Sequence, residues 1–414
     1  MTLPRRHLLA AGAALTSAVA LPAFRTVPRG GPPTALTGAL ITRWRHDPWA
    51  LGSYSFLARG ARIDDRKALG APVGDRVFFA GEATEPDKPS TVHGAVMSGR
   101  RAAREILAIG SSAGAGPIVV IGAGASGLAA AQALSEAGRE VIVLEARDRI
   151  GGRVLTDRSL GAPLDLGASW IHGVDGNPLT ALADQVGAQR AVTQWRRMRV
   201  YDAEGRRRRY LFLPRAFRHT LDYELGFAAD MDDLDPAALE MSDSFPGDEA
   251  VFPGGYDQIL PALAGDYPVR LGRPVDAVSW TGAGAEILTA TTESITASCI
   301  LLTVPLGVLK AGAIAFEPGL PAGKQAAIDR LGMGLLDKVY LKFDAAFWPA
   351  EMDGFGFMAR EPGRFSGWFN LYKVIGEPVL LGFTAGRAAD ALDDLSDEAI
   401  TAEALRAVET MFPG

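Results

Sequence analysis

The residues Gly122-Ala123-Gly124-Ala125-Ser126-Gly127, with Glu145 placed 23 residues after the first glycine, have the types and spacing to hold a dinucleotide. In such a pattern Gly122 permits a tight turn, Gly124 lets the backbone approach a pyrophosphate, and Gly127 lets helix and strand pack closely. A helix beginning there offers free N–H groups and a positive dipole end to the phosphates. Glu145 is placed to accept hydrogen bonds from a ribose. A second stretch, Arg147-Asp148-Arg149-Ile150-Gly151-Gly152-Arg153, adds cations and paired glycines directly downstream.

The flanking elements must position these groups. IVVI at 118–121 is the continuous apolar run of a buried parallel strand. LAAAQALSEAG follows at helical spacing, then VIVLEA as a second strand ending at Glu145. The glycine pattern alone is a weak signal; strand, helix, strand and acid in register make it a strong one. It fits NAD as well as FAD.

Composition bounds the rest. A chain of 414 residues, 48% hydrophobic and 22% charged, suits a soluble protein of two domains with a large core. The net charge of −6 argues against nucleic acid as a partner and suits a cationic ligand. Cys299 is the single cysteine, which excludes an intramolecular disulfide and a cysteine-ligated metal cluster; it reads as an inert core thiol. No motif calls for a metal. MTLPRRHLLAAGAALTSAVALPAF, with Arg5, Arg6 and small residues at Ala18 and Ala20, has the layout of an export signal of the twin-arginine type. The expected location is therefore periplasmic or secreted, with no stable membrane insertion, since the apolar run is short and alanine-rich.

RIGGR (149–153) and LGASWIHG (166–173), after the dinucleotide pattern, resemble the flavin-dependent amine oxidases, the family of polyamine oxidases, monoamine oxidases and lysine-specific histone demethylases. The resemblance implies what spacing does not: FAD rather than NAD, with Gly122, Gly124, Gly127, Glu145, Arg147, Gly151, Gly152, Arg153, Gly167, Ala168, Ser169 and Trp170 as cofactor contacts. VFPGGYDQILPAL (251–263) is similar to the family's return to the flavin domain, and Val275 in RPVDAV falls where the backbone meets the adenine end. GLLDKVYLKFDAAFW (334–348) resembles the family's lysine strand, which implies that Lys338 bonds a water facing flavin N5.

The family's closing landmarks stand at the front of this chain. ITRWRHDPWALGSYSFLARG (41–60) resembles the segment with an aromatic wall, implying Tyr54 at the wall and Trp44 and Trp49 near the flavin. RVFFAGEATEPDKPSTVHGAVMSGRRAAREIL (76–107) resembles the segment whose glutamate, here Glu82 after Gly81, meets the ribityl region, with Thr91 and Val92 also at the flavin. The order looks like a circular permutation, rejoined by AIGSSAGAGP. A gene model joining the ends of a conventional gene gives the same order; a fusion of two broken copies is opposed by the single occurrence of each landmark. The implied fold is α/β: a Rossmann-type FAD domain plus a substrate domain of mixed sheet and helices. The expected segments are an export signal and linker (1–30), a flavin-facing piece of the substrate domain (34–60), a closing FAD-domain piece (70–108), a linker (109–116), the Rossmann segment (117–165), substrate domain (166–250), FAD-domain return (251–310) and substrate domain again (311–414).

The implied activity is amine oxidation, a hydride equivalent passing from the carbon next to nitrogen to the flavin, the imine hydrolysing and oxygen giving hydrogen peroxide. Monoamine oxidases carry a flavin-attached cysteine where this chain has Ser53, which implies non-covalent FAD. Thr91 and His172 match polyamine oxidase versions of their motifs, so Lys338, Tyr54 and His172 are the expected catalytic set and a polycationic amine the expected substrate. Lys88 would oppose that reading if it pointed into the site. From His219 to Val269 there are twelve Asp or Glu and no Lys or Arg, a field that draws in a polycation or simply a solvated face. RRMRVYDAEGRRRRY (196–210) reads as a hairpin turning at Glu204-Gly205, its arginines facing solvent. Two alternatives stay open: an amino-acid oxidase or other flavin oxidoreductase of the same fold, and a non-catalytic flavin-binding remnant.

Overall fold

A computed structural model describes residues 35–110, 116–195, 198–241, 244–360 and 363–413. The segment expected to be an export signal and most of the expected Gly/Ser/Ala linker lie outside the described residues.

IVVI forms the strand Ile118–Ile121, every residue buried, at the centre of a five-stranded parallel sheet. The order across it is Val269–Arg270, Val141–Leu144, Ile118–Ile121, Cys299–Leu302 and Val77–Phe79. Burial on both faces explains the unbroken apolar runs, and the fixed registers Ile118↔Val141 and Cys299↔Ile118 align their C-terminal ends. Cys299 is fully buried within it, and burial pushes its thiol up. Helix Ala125–Glu136 follows the glycine turn.

Three pieces of the front of the chain are built into this framework. Strand Val77–Phe79 closes one edge of the parallel sheet, pairing Val77 with Ile300. Helix Val92–Ala108 crosses the start of helix Ala125–Glu136 so closely that a Cβ on Gly99 would lie 2.1 Å from the Ser126 carbonyl oxygen. Strand Leu36–Ile41 forms the edge of a seven-stranded mixed sheet. That sheet continues through Leu336–Phe343, Val379–Ala385, Gly367–Asn370, Gly354–Met358, Met198–Asp202 and Arg207–Arg208.

The seven-stranded sheet is two-sided. Val339, Leu341 and Phe343 pack on helix Asp397–Met411 in one core, while alternate residues Leu336, Lys338 and Tyr340 face the other way. Lys338 stands directly opposite Phe383, so the two share that inward face. The expected hairpin is present, Val200 pairing with Arg208 and Gly205 taking a positive φ of 72° at the turn. A third, three-stranded sheet joins Trp170–Ile171, Glu249–Val251 and Ala191–Thr193, three short stretches far apart in sequence.

Candidate functional site

One cavity of about 1290 Å³ runs from the glycine turn to the inward face of the seven-stranded sheet. Of the residues assigned to it from the sequence, all line it except Gly127. The three glycines have three different physical causes. Gly122 has φ 106°, and a Cβ on it would meet the Thr303 hydroxyl at 2.6 Å. A Cβ on Gly127 would sit 1.9 Å from the Gly122 carbonyl oxygen, so this glycine serves helix–strand packing beneath the turn. A Cβ on Gly124 would meet no protein atom closer than Gly151 O at 4.0 Å; its bare backbone faces the cavity. No packing demand explains that third glycine, and a pyrophosphate seated against it does.

The RIGGR loop lies beside this turn. Gly151 N donates to Ala123 O at 2.8 Å, and Arg149 ties the loop by donating to the Ile150 and Gly152 carbonyls. Glu145 Oε2 accepts from Ala123 N at 2.7 Å and Oε1 from Arg147 N at 2.9 Å, which fixes the carboxylate at the cavity wall. Arg147 also lines the wall, but its guanidinium forms a bidentate pair with Asp47, both bonds 2.8 Å. Arg147, expected as a cofactor contact, therefore also clasps the front segment to the Rossmann segment.

Glu82 is buried and accepts from Ser55 N (3.1 Å), Ser55 Oγ (2.6 Å), Ser90 N (3.1 Å) and Arg153 Nη1 (3.0 Å). Burial works to raise its pKa, but Arg153 and Arg66 outweigh it and hold the carboxyl below its ordinary value. Arg66, 1% exposed, donates to Ser55 Oγ at 2.7 Å and is pushed down to about 10 by burial against the pull of Glu82 and Glu85. The Glu82–Arg153 pair, with Ser55 linking Arg66 to the same carboxylate, is costly to break from either side.

Lys338 is 4% exposed, not an edge residue in solvent. Its Nζ donates to Asp165 O (2.6 Å), Gly167 O (2.6 Å) and Ser169 Oγ (2.5 Å), so three protein acceptors take the three ammonium protons. Burial pushes Lys338 down to about 8, the Asp165 carboxylate opposing, and burial raises Asp165 to about 6. The front segment sets the lysine's backbone, because Thr42 Oγ1 accepts from Lys338 N at 2.9 Å and Thr42 N donates to Lys338 O at 3.0 Å.

Around the lysine stands an aromatic wall. Trp170, Trp195, Phe369 and Phe383 stack edge to face or tilted with ring centres 5.0–6.3 Å apart, and Trp170, Trp195 and Phe383 line the cavity with Tyr54. Tyr54 Oη donates to Leu225 O at 3.1 Å. Trp44 is buried with its indole N–H on Leu166 O, and Trp49 reaches the wall while 37% exposed. Thr91 lines the cavity, yet its hydroxyl caps helix Val92–Ala108, accepting from Gly94 N and donating to Lys88 O. Lys88 itself does not line the cavity; its Nζ donates to Ser244 O at 2.7 Å over the Phe245 ring. His172 Nδ1 lies 2.8 Å from Glu249 Oε2, and Glu249, Asp248 and Asp222 all line the cavity.

Sequence reasoning missed Asp165, Asp47, Arg66, Trp195, Phe383 and the individual acids. The acid-rich span signalled Asp222, Asp248 and Glu249 as a group; nothing local marked Trp195 or Phe383, which pairing across sheets brings in. Of the arginines of 196–210, Arg206 to Arg209 are exposed as expected and Arg199 is half-buried; Arg208 also borders the cavity, held by Asp202 with Nε 2.8 Å from Oδ2. Arg196 and Arg197 lie outside the described residues.

Comparison with known proteins adds a family to this geometry. The family model for flavin containing amine oxidoreductases matches residues 23–107, 125–242 and 237–414. Polyamine oxidase 4 of Oryza sativa subsp. japonica is 32% identical over 72% of this chain and 73% of its own length. Polyamine oxidase 2 of Arabidopsis thaliana is 32% identical over 72% of each. A putrescine oxidase bound to putrescine has a similar fold, with a TM-score of 0.58 at 24% identity, over 72% of this chain and 81% of that one.

Proposed function

This chain belongs to the flavin-containing amine oxidoreductase family and is an FAD-dependent amine oxidase, and on that premise we propose that its substrates are polyamines. The reading rests on one observation: a single cavity joins the aromatic wall at Lys338 to three carboxylates, Asp222, Asp248 and Glu249. Those acids suit the second charge of a diamine or polyamine. The names of the relatives, polyamine oxidases and a putrescine oxidase bound to putrescine, support it.

The glycine turn, the RIGGR loop, Glu145, Val275 and Glu82 with Arg153 would hold FAD, which when bound supplies the two-electron oxidation with oxygen as final acceptor. The chain's own part is positioning. Trp170, Trp195, Phe383 and Tyr54 exclude water and disfavour an ammonium, so the reacting amine sits neutral against them. Lys338 holds its protons on three fixed acceptors at the wall, and burial lowers it to about 8, which eases release of a proton there. His172, held by Glu249 on the same cavity wall, would meet the bound amine. The hydroxyl of Ser53 donates to Leu336 O and accepts from Leu336 N, which supports non-covalent FAD. Arg208 is engaged by Asp202, which disfavours an arginine clamp for an amino-acid carboxylate.

We read the chain order as a permutation and the N-terminus as an export signal. Support for the first comes from the antiparallel pairing of Leu36–Ile41 with the lysine strand and from the Asp47–Arg147 and Glu82–Arg153 pairs, which join front and rear segments. The test of substrate class is peroxide release from spermine, spermidine, putrescine and benzylamine. Preference rising with the number of charges supports the proposal; equal turnover of benzylamine overturns it.

A further inference from the structure

The short edge strand Arg207–Arg208 leads into a turn of 3-10 helix, Tyr210–Phe212, at the end of the seven-stranded sheet. Leu211 is 74% exposed and Phe212 78%, more than any other large apolar side chain among the described residues. Two adjacent apolar side chains held in water need an occupant. They stand in a cationic field. Between Met198 and His219 there are seven arginines against two acids, in a chain whose net charge is −6. Arg206 and Arg208 are paired with Asp202, whereas Arg207 and Arg209 are exposed and have no ion-pair partner among the described residues. The Arg209 guanidinium lies 5.6 Å from the centre of the Phe212 ring.

We propose that this tip docks the enzyme on an anionic lipid bilayer, with Leu211 and Phe212 entering the headgroup layer and Arg207 and Arg209 meeting lipid phosphates. Apolar side chains ringed by arginines are the composition that binds at an interface without spanning it. Arginine stems lie along apolar surface while their heads reach charge, as Arg209 already does over Phe212. A partner strand is disfavoured, since the edge strand is two residues long and arginine-bearing. Arg208 and Tyr210 line the cavity, so docking brings its wall to the headgroup layer, where cations collect. That last consequence rests on the polyamine reading; the docking does not.

The test is co-sedimentation of the FAD-loaded protein with phosphatidylcholine vesicles, with and without phosphatidylglycerol. Binding should require phosphatidylglycerol and weaken with salt. Arg207→Gln and Arg209→Gln should each lower affinity about fivefold, the equivalent of about 1 kcal/mol per arginine. Leu211→Ser with Phe212→Ser should abolish binding, with flavin spectrum and Tm unchanged, because neither residue lines the cavity. No binding, equal binding to neutral vesicles, or binding indifferent to these substitutions overturns the proposal. So does a concentration-dependent dimer broken by the serine pair without lipid binding, which would assign the tip to a second copy. Benzylamine turnover serves as the control for an intact active site, so failure to bind vesicles is separable from failure of the polyamine reading.

Discussion

The two ends of the cavity are built by opposite means. The dinucleotide end is mostly backbone: a positive-φ glycine, a bare Gly124, a helix N-terminus and main-chain N–H groups holding Glu145. The amine end is side chain: a buried lysine on three acceptors, a cage of tryptophan and phenylalanine, and three acids. Backbone recognition needs particular residues at short fixed spacing, and so it writes a motif. Side-chain recognition needs only that distant strands deliver the right groups to one face, and it writes none.

The largest expected effect tests the backbone end. Gly124→Val should lower FAD affinity at least about 100-fold while the apoprotein keeps its stability to within about 1 kcal/mol, since a Cβ there meets nothing closer than Gly151 O at 4.0 Å. Gly127→Val should instead prevent folding, its Cβ lying 1.9 Å from a carbonyl oxygen. Flavin content and apoprotein melting separate the two; a Gly124→Val protein that holds FAD normally breaks the contrast.

Next is the amine end. Lys338→Met should slow flavin reduction or reoxidation about 100-fold in stopped flow, with FAD still bound. Wild type should show a step in rate near pH 8, absent from the variant, because burial lowers Lys338 to about 8. The sign for stability follows. Between about pH 8 and 10.5 the unfolded lysine binds more proton than the native one, so wild-type stability relative to Lys338→Met rises with pH across that window. Urea melts at several pH values check the slope.

Asp248→Asn, at a cavity acid that does not hold His172, should raise KM for spermidine about tenfold with kcat little changed, and leave benzylamine kinetics unaltered. The smallest effect is expected at the seam between the ends. Asp47→Asn breaks the partly exposed pair with Arg147 and should cost about 1 kcal/mol of stability with a modest loss of FAD affinity. A severe loss would mean that Arg147 acts on the cofactor chiefly through Asp47.

The parallel sheet was legible from the sequence because burial on both faces forces strands such as IVVI and VIVL to be continuously apolar. The lysine strand was legible only through resemblance; its alternation alone would place Lys338 at a solvated edge, whereas the 165–169 segment, whose acceptors take its Nζ, covers the side chain. Asp165 hid in plain view, an ordinary acid before LGASW until folding set its carbonyl under Lys338 Nζ. Trp195 and Phe383 reach the wall from opposite sides of the fold, so no local spacing relates them. Thr91 was read for its place in a motif, and its hydroxyl is bound to a helix cap that any N-terminal threonine would make.

The most direct test of the account is a flavin spectrum of the purified protein before and after anaerobic addition of spermine or spermidine. The account predicts bound FAD whose visible band bleaches on addition, which requires one folded cavity that holds cofactor and polyamine together. A stable flavin spectrum that no polyamine bleaches would contradict the assignment of the amine end, and protein without flavin would contradict the cavity itself.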